Sequence, residues 1–280
     1  MPEGNVIHYH ARRLRRAFRR SAVRLDSPQG RFSEGAALLN GLTLHAADAY
    51  GKHLLLDFGD LRWLHIHLGL FGTWRIGTGA PPAPTGQIRL RLRNETHFAE
   101  LRGPTTCEVL DIAQRDALLA RIGPDPIRTD ADPLLAWARV ERSRQPIATL
   151  LMDQRIFAGV GNIYRAEVLF RQNISPFRAG VDVGWSDFHA LWVDLVDLMS
   201  RGTSRGRIMT VRPADLPTIR GAVAPAASRG IAGAGRRGRY DTRAYVYRRD
   251  GRACFLCDTS IEVTTLQARR LYWCPACQAS

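Results

Sequence analysis

Apolar positions along this chain repeat with two different periods, and the changes of period divide it. In residues 5–19, Ile7, Ala11, Leu14 and Phe18 recur at steps of four, three and four, the spacing of one helix face. Arg12, Arg13, Arg15, Arg16, Arg19 and Arg20 fill the opposite side, as a solvated surface or as phosphate contacts. From about 21 to 112 the runs shorten to strand length. LTLHAADAYGKHLLLDFG, LRWLHIHLG, GTWRIG and IRLRLRN stand between Gly, Pro and Asn. IRLRLR alternates strictly, with apolar side chains on one face and arginine on the other. This region predicts an antiparallel sandwich or barrel, with GTGAPPAPTGQ (77–87) as a loop.

Residues 123–133, GPDPIRTDADP, read as a Pro-rich linker. Helical periodicity then returns. PLLAWARVERS and PIATLLMDQRIFA are predicted helices. AGVGN (158–162) is a turn that places Asn162 to cap the next helix, IYRAEVLFRQ. A last helix covers about 186–200, with Phe188, Leu191, Leu195 and Leu198 on one side. Residues 201–253 hold thirteen arginines against Asp215, Asp241 and Asp250, a local net charge of 13 − 3 = +10. The interior of that segment, 221–239, offers little to bury and predicts a mobile basic loop.

Composition narrows the function classes. At 280 residues and 45% apolar the chain can build packed cores, about two domains by length. No apolar run approaches the roughly 20 residues of a membrane span, and MPEGNVIHYHARRL lacks the apolar core of an export signal. A soluble cytoplasmic protein is expected. Forty basic against 26 acidic residues, a net charge of +14, favour a polyanionic partner, foremost nucleic acid. Genomic base composition explains arginine in place of lysine but not the excess over acids. Against 39 arginines the chain keeps one lysine, Lys52, either by chance or where a compact titratable amine is required.

Four of the five cysteines form two close pairs, Cys254 with Cys257 and Cys274 with Cys277, sixteen residues apart. Two such pairs bring four thiolates to a tetrahedron across a hairpin, and predict one structural zinc ion. Without an export signal, disulfides fit less well. Cys107 reads as a small buried residue.

Pro2 and Glu3 carry the candidate chemistry. Met1 is expected to be removed when Pro2 follows, exposing a secondary amine. Such an amine condenses with an aldehyde-like carbon directly to a cationic iminium, which then acts as an electron sink. The positive end of the helix beginning near residue 5 disfavours its protonated form. Glu3 beside it is a ready general acid/base.

Taken with the rest, the sequence resembles the bacterial formamidopyrimidine-DNA glycosylase/endonuclease VIII family. The resemblance rests on PEG at 2–4, GKHLLLDF around Lys52, HLGLFG at 67–72 and GPDP at 123–126. It continues through LLMDQRIFAGVGNIYRAEVLF at 150–170 and VYRRDGRACFLC…RRLYWCPACQ at 246–278. It implies an α+β multidomain fold. An N-terminal catalytic β-sandwich with a leading helix would span 1–122, followed by the 123–133 linker. A helix–two-turn–helix DNA-binding domain with the basic loop would span 134–240, and a β-hairpin zinc finger 241–280. The implied activity is bifunctional: removal of an oxidised base, then cleavage of the abasic strand. The partner would be damaged double-stranded DNA, bound by a monomer without membrane or nucleotide cofactor.

The resemblance also implies roles for individual residues. Pro2 would attack C1′ and form the Schiff base. Glu3 would protonate the sugar ring oxygen or leaving group. Lys52 would contact phosphate near the lesion and assist protonation and β-elimination. Asn162 would bind a flanking phosphate, and Arg269 (or its neighbour Arg270) would grip phosphate and support δ-elimination. Glu167 matches an acid that braces the helical domain. Leu70 and Phe71, between Gly69 and Gly72, read by themselves as core residues on a turn; the resemblance makes them the wedge that fills the space left by an extruded nucleotide.

MPEG and the Leu-Phe wedge point to the endonuclease VIII branch and oxidised pyrimidines. FAELRGPTTCE (98–108) keeps Arg102, but Gly103 and Pro104 stand where the purine-directed branch places the second half of an Arg-Phe pair. Asn5, Val6, Ile7 and the 213–239 segment depart from the family pattern. The alternatives are a purine-directed 8-oxoguanine/formamidopyrimidine glycosylase and a non-enzymatic zinc-containing DNA-binding protein.

Overall fold

The computed structural model describes residues 2–217, 219 and 243–279. Helix α1 (Gly4–Phe18) leads into a sandwich of two antiparallel four-stranded sheets. Its elements in chain order are β1 (Arg24–Asp26), α2 (Ser33–Leu39), β2 (Ala46–Tyr50), β3 (His53–Asp57), β4 (Trp63–His67), β5 (Thr73–Thr78), β6 (Ile88–Arg93), β7 (His97–Arg102) and β8 (Thr106–Leu110). The strand orders are β1-β6-β7-β5 and β2-β3-β4-β8. The alternation seen in the sequence sets the register. Leu54, Leu56, Leu64 and Ile66 meet Leu90, Leu92, Ala99 and Leu101 in one core, which Leu14 and Phe18 of α1 complete. Two of the arginines on the opposite faces are tied down rather than merely solvated. Arg91 pairs with buried Glu100 at 2.7 Å, and Arg15 holds the Ala47 carbonyl at 2.8 Å.

Helix α3 (Ile112–Leu119) precedes a helical domain of α4 (Pro133–Val140), α5 (Ile147–Leu150), α6 (Asn162–Arg171) and α7 (Trp185–Arg205). Asp132 caps α4 through the Leu134 N–H, with Pro133 at the first helical position. The linker is clipped rather than loose. Asp125 accepts from the Gly51 N–H and pairs with His8, both at 2.7 Å. A hairpin of β9 (Glu262–Leu266) and β10 (Arg269–Trp273) closes the chain. The fold is thus α+β, with sandwich, helical domain and cysteine-bearing hairpin in the expected order. Among the described residues no helix is long and apolar enough to cross a membrane.

Two expectations need correction. PIATLLMDQRIFA is not one helix: α5 ends at Leu150 and turns follow. The Gln154 side chain explains the break. It accepts from the Gly159 N–H at 3.1 Å and donates to the Val160 carbonyl at 2.9 Å, offering the backbone partners that a helix ladder would otherwise supply. Nor does Asn162 cap α6. It is the first helical residue, after Gly161, and its side chain turns to β10. The predicted mobile loop lies, from 220 to 239, outside the described residues.

A separate core joins α6 to the terminal module through Phe170, Tyr245, Val246 and Tyr272. Its centre is polar. Fully buried Glu167 accepts from the backbone N–H groups of Tyr245, Val246 and Tyr247 and from the Thr210 hydroxyl. Glu167→Ala would strand three buried donors. The expected loss is about 3–5 kcal/mol of unfolding free energy in a denaturant titration; a change below about 1 kcal/mol would show that this brace is dispensable.

Candidate active site and metal centre

Three glycines let the site form. The Gly4 N–H donates to the Gly159 carbonyl at 2.8 Å. A Cβ on Gly4 would lie 2.8 Å from the Gly159 Cα, and one on Gly51 would lie 2.8 Å from the Gly159 nitrogen. Gly51 and Gly159 also take φ of +58° and +84°, which side chains rarely adopt. The start of α1, the β2–β3 hairpin and the α5–α6 turn therefore meet backbone to backbone. This contact explains why PEG, GKH and AGVGN each carry a glycine.

Glu3 crosses this seam. Its carboxylate accepts from the N–H groups of Gly161 at 3.1 Å, Ile163 at 2.8 Å and Tyr164 at 3.3 Å. An acid from the sandwich domain thus caps α6 of the helical domain, and the positive helix end favours its anion. Burial acts the other way and dominates, holding the carboxyl above its ordinary range, while Lys52 and the backbone donors oppose it. Such a group exchanges a proton more readily than an exposed glutamate. A side chain at 161 would collide with it, since a Cβ there lies 2.4 Å from the Glu3 carboxyl carbon.

Lys52, at the β2–β3 turn, donates to the Val160 carbonyl at 2.7 Å. Burial lowers its pKa to about 8; Glu3 counteracts this and Arg269 adds to it. A guanidinium in the same place would stay charged. Pro2, Lys52, His67, Leu70, Met152, Gln154 and Arg269 line a cleft of about 250 Å³. The structure therefore brings Pro2, Glu3, Lys52 and Arg269 to one place, although they are up to 267 positions apart in the chain.

Of the two adjacent arginines, Arg269 lines the cleft. Arg270 contributes its carbonyl, which accepts from Asn162 Nδ2 at 2.8 Å and Arg165 Nη2 at 3.2 Å. Asn162 Oδ1 accepts from Arg165 in turn. Asn162 is buried and fastens α6 to the hairpin. Leu70 and Phe71 are 60% and 84% exposed, so they are not core residues. Gly69 (φ +63°) and Gly72, where a Cβ would meet the Leu68 carbonyl oxygen at 2.2 Å, force the turn that presents them. His67, Met152 and Gln154 were not singled out from the sequence. His67 lay within HLGLFG, and a polar residue two positions before a forced turn was the available signal.

The thiol sulfurs of Cys254, Cys257, Cys274 and Cys277 all lie within 4.8 Å of one another, placed to hold one metal ion. Cys107 packs against the sandwich core, and burial raises its thiol to about 12.

Comparison with known proteins follows this geometry. Residues 1–107 match the formamidopyrimidine-DNA glycosylase N-terminal domain and residues 122–212 the H2TH domain of the same enzyme. Endonuclease 8 1 of Mycobacterium tuberculosis is 43% identical over 285 residues, covering 99% of this chain and 100% of that protein. Endonuclease 8 2 of Mycobacterium bovis is 31% identical, with the same coverage of 99% and 100%. The structure of Lactococcus lactis Fpg in complex with abasic-site DNA superposes with a TM-score of 0.76 at 22% identity, covering 99% of this chain and 100% of that one.

The interdomain cap is open to a direct check. Gly161→Ala is expected to push Glu3 off the helix end and speed amide exchange at Ile163 and Tyr164 about tenfold or more, as one hydrogen bond's worth of protection is lost. Exchange rates equal to those of the parent would mean that the carboxylate does not hold α6.

Proposed function

The chain belongs to the formamidopyrimidine-DNA glycosylase/endonuclease VIII family, whose members are DNA glycosylases and AP lyases of base-excision repair, and from that premise we propose its substrate and mechanism. It excises oxidised bases, pyrimidines foremost, from damaged double-stranded DNA through a Schiff base on Pro2, and cuts the strand by β,δ-elimination. It acts as a monomer in the cytoplasm. The placement of Pro2, Lys52 and Arg269 on one cleft, with Glu3 buried close enough to Lys52 to feel its charge, is the observation that carries this reading.

In the proposed sequence the Pro2 nitrogen forms a bond to C1′ as the bond from C1′ to the base breaks; the base leaves with that electron pair and takes up the proton that the Pro2 nitrogen loses. Glu3 delivers a proton to the sugar ring oxygen, so the ring opens to an iminium. Loss of a C2′ proton expels the 3′ phosphate, and loss of a C4′ proton expels the 5′ phosphate. The iminium accepts the electron pair in each step. Lys52, poised near pH 8, neutralises phosphate as an ammonium and accepts a proton as an amine. Arg269 binds phosphate at the cleft. Asn162, engaged with Arg270 and Arg165, supports phosphate binding by fixing the hairpin that presents Arg269. The four thiolates fit a tetrahedral zinc ion, which would hold that hairpin together without entering the chemistry.

The pyrimidine preference has its own support. Leu70 and Phe71 project from the cleft rim as apolar wedges. The neighbouring β7–β8 turn offers no second wedge. Gly103 (φ +56°) lies against the Phe71 carbonyl, and the Thr105 N–H donates to the His67 carbonyl at 2.9 Å. That turn buttresses the wedge instead of extending beside it.

Borohydride reduction in the presence of a thymine-glycol duplex is expected to trap a covalent adduct at Pro2. Binding without a trapped adduct would refute the lyase chemistry. Cleavage of 8-oxoguanine paired with C that exceeds cleavage of thymine glycol or 5-hydroxycytosine would favour the purine-directed alternative. Lys52→Arg separates charge from titration. DNA affinity should stay within about threefold, since the phosphate still meets a cation, while turnover falls at least about tenfold. The limb of the rate–pH profile near pH 8 should vanish with it. Parental turnover would leave Lys52 without a catalytic role.

A further inference from the structure

The face of the sheet β2-β3-β4-β8 turned away from the sandwich core carries a row of hydrogen-bonding side chains that ends at the cleft. His53, next in sequence to Lys52, is the cross-strand partner of His67; His65 lies two residues back on β4, opposite Glu108 of β8. His65 Nδ1 lies 2.8 Å from Glu108 Oε1, and His65 Nε2 lies 2.9 Å from His53 Nδ1. A carboxylate only accepts. With both rings neutral, His65 then carries its proton on Nδ1 and accepts at Nε2. His53 must be the donor at Nδ1, which leaves its Nε2 as a lone pair. His67 is set in the opposite sense. Its Nδ1 accepts from the Gly69 N–H at 3.2 Å, which puts its proton on Nε2.

We infer that Glu108, His65 and His53 are positioning residues of the catalytic cleft, a chain that presents a neutral acceptor beside the Lys52 amine and keeps a donor or a cation away from it. The inference rests on the role of Lys52 proposed above. His65 is 5% exposed, where an unpartnered imidazole would be costly and a leucine, as at the adjacent buried Leu55, would fill the space. The Glu108 side chain, 51% exposed, anchors the outer end. The His53 and His67 rings lie 5.2 Å apart at the inner end. The charged and titratable groups facing His53 are His65, His67, Lys52 and Arg121. Together with burial they lower its pKa to about 3, so it stays neutral across the working range.

Removing the anchor should reverse the tautomers. Without the Glu108 acceptor, His65 is free to place its proton on Nε2 and donate to His53 Nδ1. His53 then carries its proton on Nε2, and the ring next in sequence to Lys52 loses its free acceptor, which disfavours the ammonium. The test is the rate–pH profile of strand cleavage for the full chain, with thermal midpoints measured in parallel. Glu108→Leu, on an edge strand, and His53→Phe are both expected to move the limb near pH 8 to lower pH by about half to one unit, a three- to tenfold change at fixed pH. Glu108→Gln keeps an oxygen acceptor for His65 and should retain the parental limb. If Glu108→Leu and His53→Phe leave the limb in place, or if Glu108→Gln moves it equally, the relay is wrong. A parent that lacks both the limb and a borohydride-trapped adduct would instead refute the reading of Pro2 and Lys52.

Discussion

A single buried carboxylate joins the two halves of this molecule. Glu3 belongs by sequence to α1 of the sandwich domain, yet its oxygens satisfy N–H groups at the start of α6. Those donors have no partner inside their own helix, so the helical domain is incomplete without the sandwich domain. Burial raises the pKa of the acid, and Lys52 and the helix end oppose that rise by favouring its anion. The carboxylate that docks the domains is thus the one whose hold on a proton burial has changed.

The glycine seam is the steric condition for that contact. Gly4, Gly51 and Gly159 allow three backbone segments to approach within a distance that no Cβ permits, and Gly161 leaves room for Glu3 itself. The same approach buries Lys52 against the Val160 carbonyl, and burial brings its amine toward neutral pH. The lone lysine of an arginine-rich chain thus occupies a place where a guanidinium could not change charge. From α6 the arrangement continues outward. Asn162 and Arg165 hold the Arg270 carbonyl, and Glu167 holds the segment leading to the cysteines. Arg269 reaches the cleft on a hairpin that Asn162 and Arg165 of α6 hold through the Arg270 carbonyl.

Much of this was legible in the residues alone. Period-two alternation in IRLRLR and short apolar runs such as HLLLD predict a sandwich. The recurrence of Ile7, Ala11, Leu14 and Phe18 at steps of four, three and four predicts α1. Paired cysteines predict their own cluster, because ligand spacing is local. Local rules failed where a distant group supplied the deciding bond. Gln154 folds back to end what reads as a continuous helix, and the cap of α6 comes from a residue about 160 positions away instead of from Asn162. The α1 arginines read as a solvated surface or as phosphate contacts, and those of β6 as the face opposite the apolar one, whereas Arg15 and Arg91 find carbonyl or buried partners across the sandwich.

The sequence by itself determined most element types, the cysteine cluster and, through its motifs, the family. These depend on periodicity and spacing, which short stretches of chain contain in full. Tertiary structure alone decided which groups share one cleft, that Glu3 caps a helix in another domain, that Arg269 rather than Arg270 faces Lys52, and that His53 is joined through His65 to Glu108. Each of those outcomes turns on close approach between segments remote in the chain, and on burial that changes how firmly a proton is held. Neither quantity exists until the domains have packed.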